Sequence, residues 1–214
     1  MTPVTLDPHP LLDAAVIAAR LPAPLATLTT PRSVADRFAP DASSPVGPPP
    51  DAKTAVRDLL RHGGFKPAGR SKPASEYLVK AREKGWLTPD RGINAVVDAL
   101  NAVSLHSGLP ISVVDAELAV APWRIGLAAA GSSYVFNASG QVIDLSGLLC
   151  LFDSEGPCAN PVKDSQRTKT HDDTVETISV VWGTIALPGH TARVADWYAA
   201  LLVDMGANVE ILAM

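Results

Sequence analysis

The chain has 214 residues, 47% of them hydrophobic and 19% charged, which suffices for a buried core and excludes a chain that is disordered throughout. Nineteen prolines and fifteen glycines against 5% aromatic residues predict many turns, and they exclude a coiled coil or a plain helical bundle. No apolar run approaches about 18 residues, and residues 1–20 lack the pattern of a signal peptide. Two cysteines are too few for a disulfide framework. We therefore expect a cytoplasmic protein without a membrane partner.

The charges are unevenly distributed along the chain. The formal net charge is −4, which argues against a generally basic surface for nucleic acid. Residues 53–91 nevertheless hold ten lysines and arginines and four acidic residues, a local net charge of +6 against −10 for the remainder. A basic segment on an acidic body suits the binding of a polyanion by one face, although lysines on a solvated helix surface would give the same pattern.

The first half of the chain predicts one strand, a linker and three helices. Residues 11–21 are apolar and bounded by prolines, which favours a strand over a short helix. The proline-rich residues 40–50 predict a linker that buries almost nothing. Helices are predicted over residues 51–61, about 74–84 and about 93–107, each with an apolar face and a glycine after its end.

After Pro110 the apolar pattern changes to the alternation of strands. Strands are predicted at residues 111–114, 124–129 and 133–137, the last in a hairpin with 141–144, then within 175–186 and at 208–212, with a helix over 191–205. Residues 151–173 are polar and irregular, and a loop of that length is more often functional than idle.

These elements predict an α/β (α+β) fold in which a mixed or antiparallel sheet packs against several helices. We divide the chain into an N-terminal strand with its proline-rich extension, residues 1–50, and a single domain of residues 51–214.

Four segments occur in an order that is typical of one known domain. Residues 65–78 read FKPAGRSKPASEYL, residues 93–105 read INAVVDALNAVSL, residues 109–115 read LPISVVD, and residues 156–158 and 164–170 read GPC and DSQRTKT. Together they resemble the B3/B4 domain of the phenylalanyl-tRNA synthetase beta chain, especially its free-standing single-domain relatives. The resemblance spans residues 51–182 and includes no ATP-binding motif, so no ligase activity is expected.

The resemblance implies an editing function. In the synthetase this domain hydrolyses the ester of tRNA wrongly charged with tyrosine, and free-standing relatives are candidates for doing so in trans. We therefore expect an aminoacyl-tRNA deacylase that acts in translation fidelity, with aminoacylated tRNA and the translation machinery as partners and without a cofactor or metal. The alternatives are a non-catalytic module that binds tRNA or an amino acid, and a Ser/His/Asp esterase.

The resemblance also implies three catalytic positions. Asn101 matches an asparagine that lines the family's pocket, and Ser112 stands where bacterial enzymes carry a histidine that helps to place the amino acid. Ser165 lies in Asp-Ser-Gln, where the family often has Asn-Ser-Glu. Because two of these positions differ in their surroundings from the family, tyrosine need not be the amino acid removed.

The chemistry of the same residues leaves several interpretations open. Ester hydrolysis needs a held water and a polarised carbonyl rather than a nucleophilic side chain. Asn101 and Ser104 lie on one helix face, where Asn101 serves either as a pocket ligand or as a tie to a neighbouring loop. His106 suggests a triad with Ser104 and Asp115, but an exposed histidine that interacts with the helix dipole is the favoured interpretation.

The loop after residue 160 contains cations and hydroxyls that suit phosphate or a terminal adenosine, although a loop held by contacts between Asp164 and Arg167 would read the same. The sequence His171-Asp172-Asp173 favours an acidic turn over a metal site, and the four tryptophans are expected in the core. The residues predicted to bind substrate or tRNA are Arg70, Lys72, Asn94, Ser104, His106, Asp115, Asp164, Arg167, Thr168 and Lys169.

Overall fold

A computed structural model describes residues 3–213. Within this range lie five α-helices: α1 Arg32–Ala35, α2 Ala52–Arg61, α3 Ala74–Glu83, α4 Ala95–Ser107 and α5 His190–Asp204. No helix in the described part of the chain is long and apolar enough to cross a membrane.

A four-stranded antiparallel sheet forms the middle of the molecule. Its strand order is β10 (Asn208–Leu212), β2 (Leu12–Arg20), β9 (Glu176–Thr184) and β3 (Ile111–Asp115). The nine-residue strands β2 and β9 pair along their full length, with Val16 opposite Val180. Both are buried through most of their length, which explains why their sequences are nearly continuous apolar runs.

A second four-stranded sheet covers one face of the first. Its order is β1 (Val4–Leu6), β4 (Trp123–Leu127), β7 (Leu149–Asp153) and β8 (Gly156–Ala159), where β1 and β4 are parallel and the other pairs antiparallel. A separate hairpin consists of β5 (Ser133–Val135) and β6 (Val142–Asp144). The predicted α+β class, with strands packed against several helices, is confirmed.

The side chains of β2 show how the layers are arranged. Val16 and Ala18 belong to the core between the two sheets, together with Trp182 of β9, whereas Ile17 and Ala19 belong to the core beneath the helices. Successive side chains of a strand point to opposite faces, so one strand contributes to both cores. The result is a layer of helices, the central sheet and the second sheet, in that order.

The N-terminal segment contributes to this arrangement through β2, which lies between β9 and β10 in the central sheet. The domain boundary at residue 50 stays a prediction.

One predicted element is wrong. Residues 151–159, expected within a long irregular loop, instead contain the end of β7, a turn at Ser154 and Glu155, and β8. Gly156 and Pro157 suggested a loop, but β8 ends its sheet, and an outermost strand tolerates a residue without a backbone N–H.

Candidate functional site

Two adjoining pockets form a groove at the side of the molecule. The inner pocket has a volume of about 580 Å³ and lies against α3 and α4, while the outer pocket, of about 710 Å³, lies between the segment after α2 and the β5–β6 hairpin. Arg70, Gln141 and Lys163 line both pockets, so we treat them as one groove.

Two uncharged polar groups of the inner pocket come from one face of α4. Asn94 begins this helix by accepting a hydrogen bond from the N–H of Val97 at 2.9 Å. This start places Val96 and Val103 in the core, and it brings Asn101 and Ser104 to the pocket, one turn apart. Ala74, Tyr77 and Leu78 of α3, with Ile111 and Val162, complete the lining.

The side chains of Asn101 and Ser104 have no hydrogen-bond partner among residues 3–213. The Ser104 hydroxyl is buried, with the residue 1% exposed, and Asn101 is half-buried. An unpaired buried hydroxyl costs about 1–3 kcal/mol, and almost all buried polar groups in folded proteins are paired. The inner pocket therefore presents the Asn101 amide to a ligand, while the Ser104 hydroxyl lies buried and unpaired in its wall.

The outer pocket carries the cations of the groove. Lys66 and Arg70 are exposed, and Lys163 Nζ lies 4.0 Å from the centre of the Phe136 ring. Burial and the neighbouring charge of Arg70 lower the pKa of Lys163. Asp144 faces the same pocket, and hydrogen bonds from the Ser146 hydroxyl and N–H lower its pKa. Three cations against one carboxylate give the pocket a net positive charge.

Local contacts hold the Arg70 turn in place. The Tyr77 hydroxyl donates to the carbonyl of Gly69 at 3.2 Å, and Lys72 Nζ lies 4.2 Å from the centre of the Tyr77 ring. Lys72 is buried, and its pKa is lowered chiefly by that burial and then by the charge of Lys80. Arg70 and Lys72 were both predicted to bind substrate or tRNA, but only Arg70 lines the groove.

The walls of the outer pocket meet at two glycines. The backbones of Gly63, after α2, and Gly147, before β7, approach so closely that a Cβ on either would overlap the carbonyl of the other. Gly147 also has a φ of +69°, which disfavours other residues.

Ser112 lies away from this groove. Its hydroxyl donates to the carbonyl of Asn160 at 3.0 Å and accepts from Trp182 Nε1 at 2.9 Å, behind the pocket lining. Its catalytic role stays a prediction that this placement does not favour.

Asp164, Ser165 and Thr168 hold the chain around a short 3-10 turn, residues 166–168. Burial raises the pKa of Asp164 to about 6, while the nearby Ser112 hydroxyl and hydrogen bonds from the N–H groups of Asn160 and Val113 act in the opposite direction. Ser165 accepts from the N–H of Arg167 at 3.3 Å, and Thr168 donates to the carbonyl of Cys158 at 3.1 Å.

The cations of this loop are also held by the protein. Arg167 makes a two-pronged ion pair with Asp153, both distances being 2.8 Å, and Lys169 Nζ donates to the carbonyl of Phe136 at 2.7 Å. The predicted contact of Arg167 with Asp164 is therefore wrong, since β7 supplies its partner instead. Ser165 and Arg167 line a separate cavity of about 260 Å³.

The remaining predicted residues have structural contacts. His106 is buried, its Nε2 lies 2.8 Å from the carbonyl oxygen of Arg37, and burial lowers its pKa, so the prediction of an exposed histidine is wrong. Asp115 accepts hydrogen bonds from the N–H groups of Glu117 and Leu118. These contacts direct His106 and Asp115 to different partners, so no triad with Ser104 is assembled.

Asn94 serves as the cap of α4, and its amide also donates to Thr170 Oγ1 at 3.4 Å. Within residues 3–213, no three metal-ligating side chains converge. Sequence reasoning missed the part of the groove formed by Phe136 and Gln141, for which only the hairpin pattern gave a signal.

Comparison with known proteins adds little. No protein-family model and no curated protein matches the chain. Among solved structures, it is weakly similar to an N-terminal fragment of the phenylalanyl-tRNA synthetase beta subunit from Pyrococcus horikoshii, with a TM-score of 0.48 and 15% identity over 54% of this chain. The chain spans 41% of that fragment. At this TM-score the similarity supports no functional inference.

Proposed function

We propose that the groove binds the aminoacylated end of a tRNA and that the protein is an aminoacyl-tRNA deacylase acting in trans. One observation carries the proposal: a positively charged outer pocket adjoins an inner pocket whose Asn101 amide and buried Ser104 hydroxyl are unpaired.

The two pockets suit the two ends of such a ligand. Beyond Arg70 and Lys163, which it shares with the outer pocket, the inner pocket combines apolar walls with uncharged polar groups, and its volume of about 580 Å³ lies in the range of small-molecule sites. It therefore accommodates an aminoacyl group. Lys66, Arg70 and Lys163 supply the cations that a terminal phosphate requires.

The chemistry that fits these groups is attack by a positioned water. The water oxygen bonds to the ester carbonyl carbon, and the bond from that carbon to the ribose oxygen breaks. One proton of the water passes to the ribose oxygen, the other is released to solvent, and the amino acid leaves as a carboxylate. The Asn101 amide donates to the carbonyl oxygen as negative charge develops there, and the Ser104 hydroxyl orients the substrate or the water. Ser104 is not the nucleophile in this scheme, because no base among residues 3–213 lies within hydrogen-bond distance of its hydroxyl.

One observation favours a second candidate, a module that binds aminoacyl-tRNA or an amino acid without chemistry. The described lining of the inner pocket includes neither a carboxylate nor an imidazole. Such a site would hold its ligand by the same contacts but would not accelerate hydrolysis.

A panel of mischarged tRNAs tests both candidates. We expect the purified protein to deacylate at least one of them faster than buffer, unchanged by EDTA, and Asn101→Ala to lower kcat by about 10²- to 10³-fold, as loss of one oxyanion donor does. Asn208→Ala, in the exposed first position of β10, is the matched control and should keep the full rate. Binding without acceleration on any member of the panel would favour the binding module, whereas loss of activity with EDTA would contradict the mechanism.

A further inference from the structure

The connection between α3 and α4 exposes an indole. The side chain of Trp86 is 65% exposed and that of Ile93 is 74% exposed, whereas Trp123, Trp182 and Trp197 are buried. The expectation that all four tryptophans pack in the core is therefore wrong for Trp86. An exposed tryptophan in a basic segment calls for a reason other than packing.

The backbone holds this indole in a fixed position. At the end of α3 the N–H of Trp86 donates to the carbonyl of Ala81 and that of Gly85 to the carbonyl of Arg82, each at 2.9 Å. Gly85 has a φ of +67°, and together these features form a Schellman motif. Leu87 then packs against the core, so the chain is anchored on both sides of a side chain that faces solvent.

Cations surround the exposed ring. Lys84 Nζ lies 4.4 Å from the centre of the Trp86 ring. Residues 80–93 carry a net charge of +2, from four basic and two acidic residues. Among residues 3–213, none of the basic four makes an ion pair; they are Lys80, Arg82, Lys84 and Arg91.

We propose that Trp86 is a stacking site for an unpaired RNA base, with Lys84 and Arg91 contacting the flanking phosphates. A flat aromatic face with adjacent cations is the arrangement by which proteins hold single-stranded nucleic acid, because every base has a face that can stack. The choice of RNA rests on the proposed function, while the stacking surface itself does not.

The position of Trp86 just after α3 supports one ligand for both sites. Tyr77 of α3 lines the inner pocket, and the six residues from Tyr77 to Glu83, at about 1.5 Å each, span roughly 9 Å of the helix axis before the turn that presents Trp86. A single RNA molecule can therefore reach both. An anionic membrane would also attract cations and an indole, but α3 directs Tyr77 and Leu78 to the groove, which leaves little more than Trp86 and Ile93 to insert.

The exposure of Trp86 provides a direct experiment. Because the other three tryptophans are buried, iodide-accessible fluorescence reports chiefly on Trp86. We expect an unstructured RNA of about eight nucleotides to quench this emission and protect it from iodide. Inorganic polyphosphate, which has charge but no bases, should leave it unchanged.

Variants measured by fluorescence anisotropy with the same RNA complete the test. Trp86→Ala should weaken binding about tenfold, and Trp86→Phe, which keeps a stacking face, should weaken it less. Ile185→Ala, which removes a 57% exposed side chain elsewhere, is the matched control and should bind as the wild type does. Unchanged thermal unfolding of Trp86→Ala would show that the fold is intact.

Each outcome separates this inference from the proposed function. Equal RNA affinity of Trp86→Ala and wild type would overturn the inference even if deacylation is observed. Quenching by RNA in a protein that deacylates nothing would support the inference and refute the deacylase. A blue shift on phosphatidylserine vesicles without RNA quenching would overturn it in favour of a membrane surface.

Discussion

The loop that contains Asp164, Arg167 and Lys169 and the inner pocket behind α3 contain similar residue types but differ in how those residues are paired. In the loop, Arg167 holds Asp153, Lys169 holds the carbonyl of Phe136, and Ser165 caps a turn. In the inner pocket, the Asn101 amide and the Ser104 hydroxyl have no partner in the described chain. Polar side chains that already satisfy one another stabilise the fold, whereas unpaired ones remain available to a ligand.

Removing the main ion pair of the loop should give the largest effect on stability. Arg167→Ala leaves the buried Asp153 without its cation, although backbone N–H groups still donate to that carboxylate. We expect a loss of about 2–3 kcal/mol in the free energy of unfolding, measured by urea titration.

Arg61→Ala is the control, because it breaks an exposed pair with Asp58 that contributes less than about 0.5 kcal/mol. Equal stability of the two variants would show that Arg167 does not hold the loop.

The pH dependence of stability should identify Asp164. Its pKa is raised to about 6 in the folded protein from an unfolded value of 3.8, so the folded state binds more protons between these values. Stability should therefore fall as the pH rises from about 4 to about 6, by up to about 2 kcal/mol.

Asp164→Asn removes this titration, and its unfolding free energy should change less with pH over that window. A wild-type and variant pair with identical pH profiles would contradict the raised pKa.

Two buried serines, one in the inner pocket and one in the loop, allow a matched test of unpaired against paired polar side chains. Ser104→Ala removes an unpaired hydroxyl and should leave the unfolding free energy unchanged or raise it by about 1 kcal/mol, while weakening substrate binding. Ser165→Ala removes a cap and should lower the free energy by about 1 kcal/mol without changing affinity. Thermal unfolding and tRNA binding, measured on both variants, check the pair; a stability loss in Ser104→Ala would show that its hydroxyl is paired.

Arg70 and Lys169 should also differ in their contribution to tRNA binding, by a smaller amount than the two serines. Arg70→Ala should reduce the slope of log binding constant against log salt by slightly less than one, because one phosphate contact is lost. Lys169→Ala should leave the slope unchanged, since its ammonium group already lies on the carbonyl of Phe136. Filter binding of tRNA at several salt concentrations measures both, and equal slopes would place Arg70 outside the interface.

Local patterns in the sequence predicted much of the helical layer. The apolar spacing over residues 93–107 predicted α4 to within two residues, and the same spacing placed Asn101 and Ser104 on one face. The short apolar run between prolines likewise predicted the strand β2, whose residues alternate between two cores in the structure.

Long-range partners limited the rest. The Ser112 hydroxyl is engaged by Trp182, seventy residues away, and no local pattern indicates that contact. Arg167 finds Asp153 only because β7 and β8 form a hairpin, which Pro157 concealed. The groove similarly depends on the β5–β6 hairpin lying opposite α3, which is a long-range arrangement. Only the helical side of its lining could therefore be predicted from the sequence.

The contact of Gly63 with Gly147 has a consequence for how the groove can vary. Since two main chains meet there without side chains between them, the separation of the outer walls does not depend on which residues line the pocket. Replacements at Lys66, Arg70 or Ser146 can change the charge of the groove while its width stays constant. Ligand chemistry and ligand size are thus controlled by different residues, and an alanine at either glycine would force the two main chains apart and destabilise the fold as well as widen the groove.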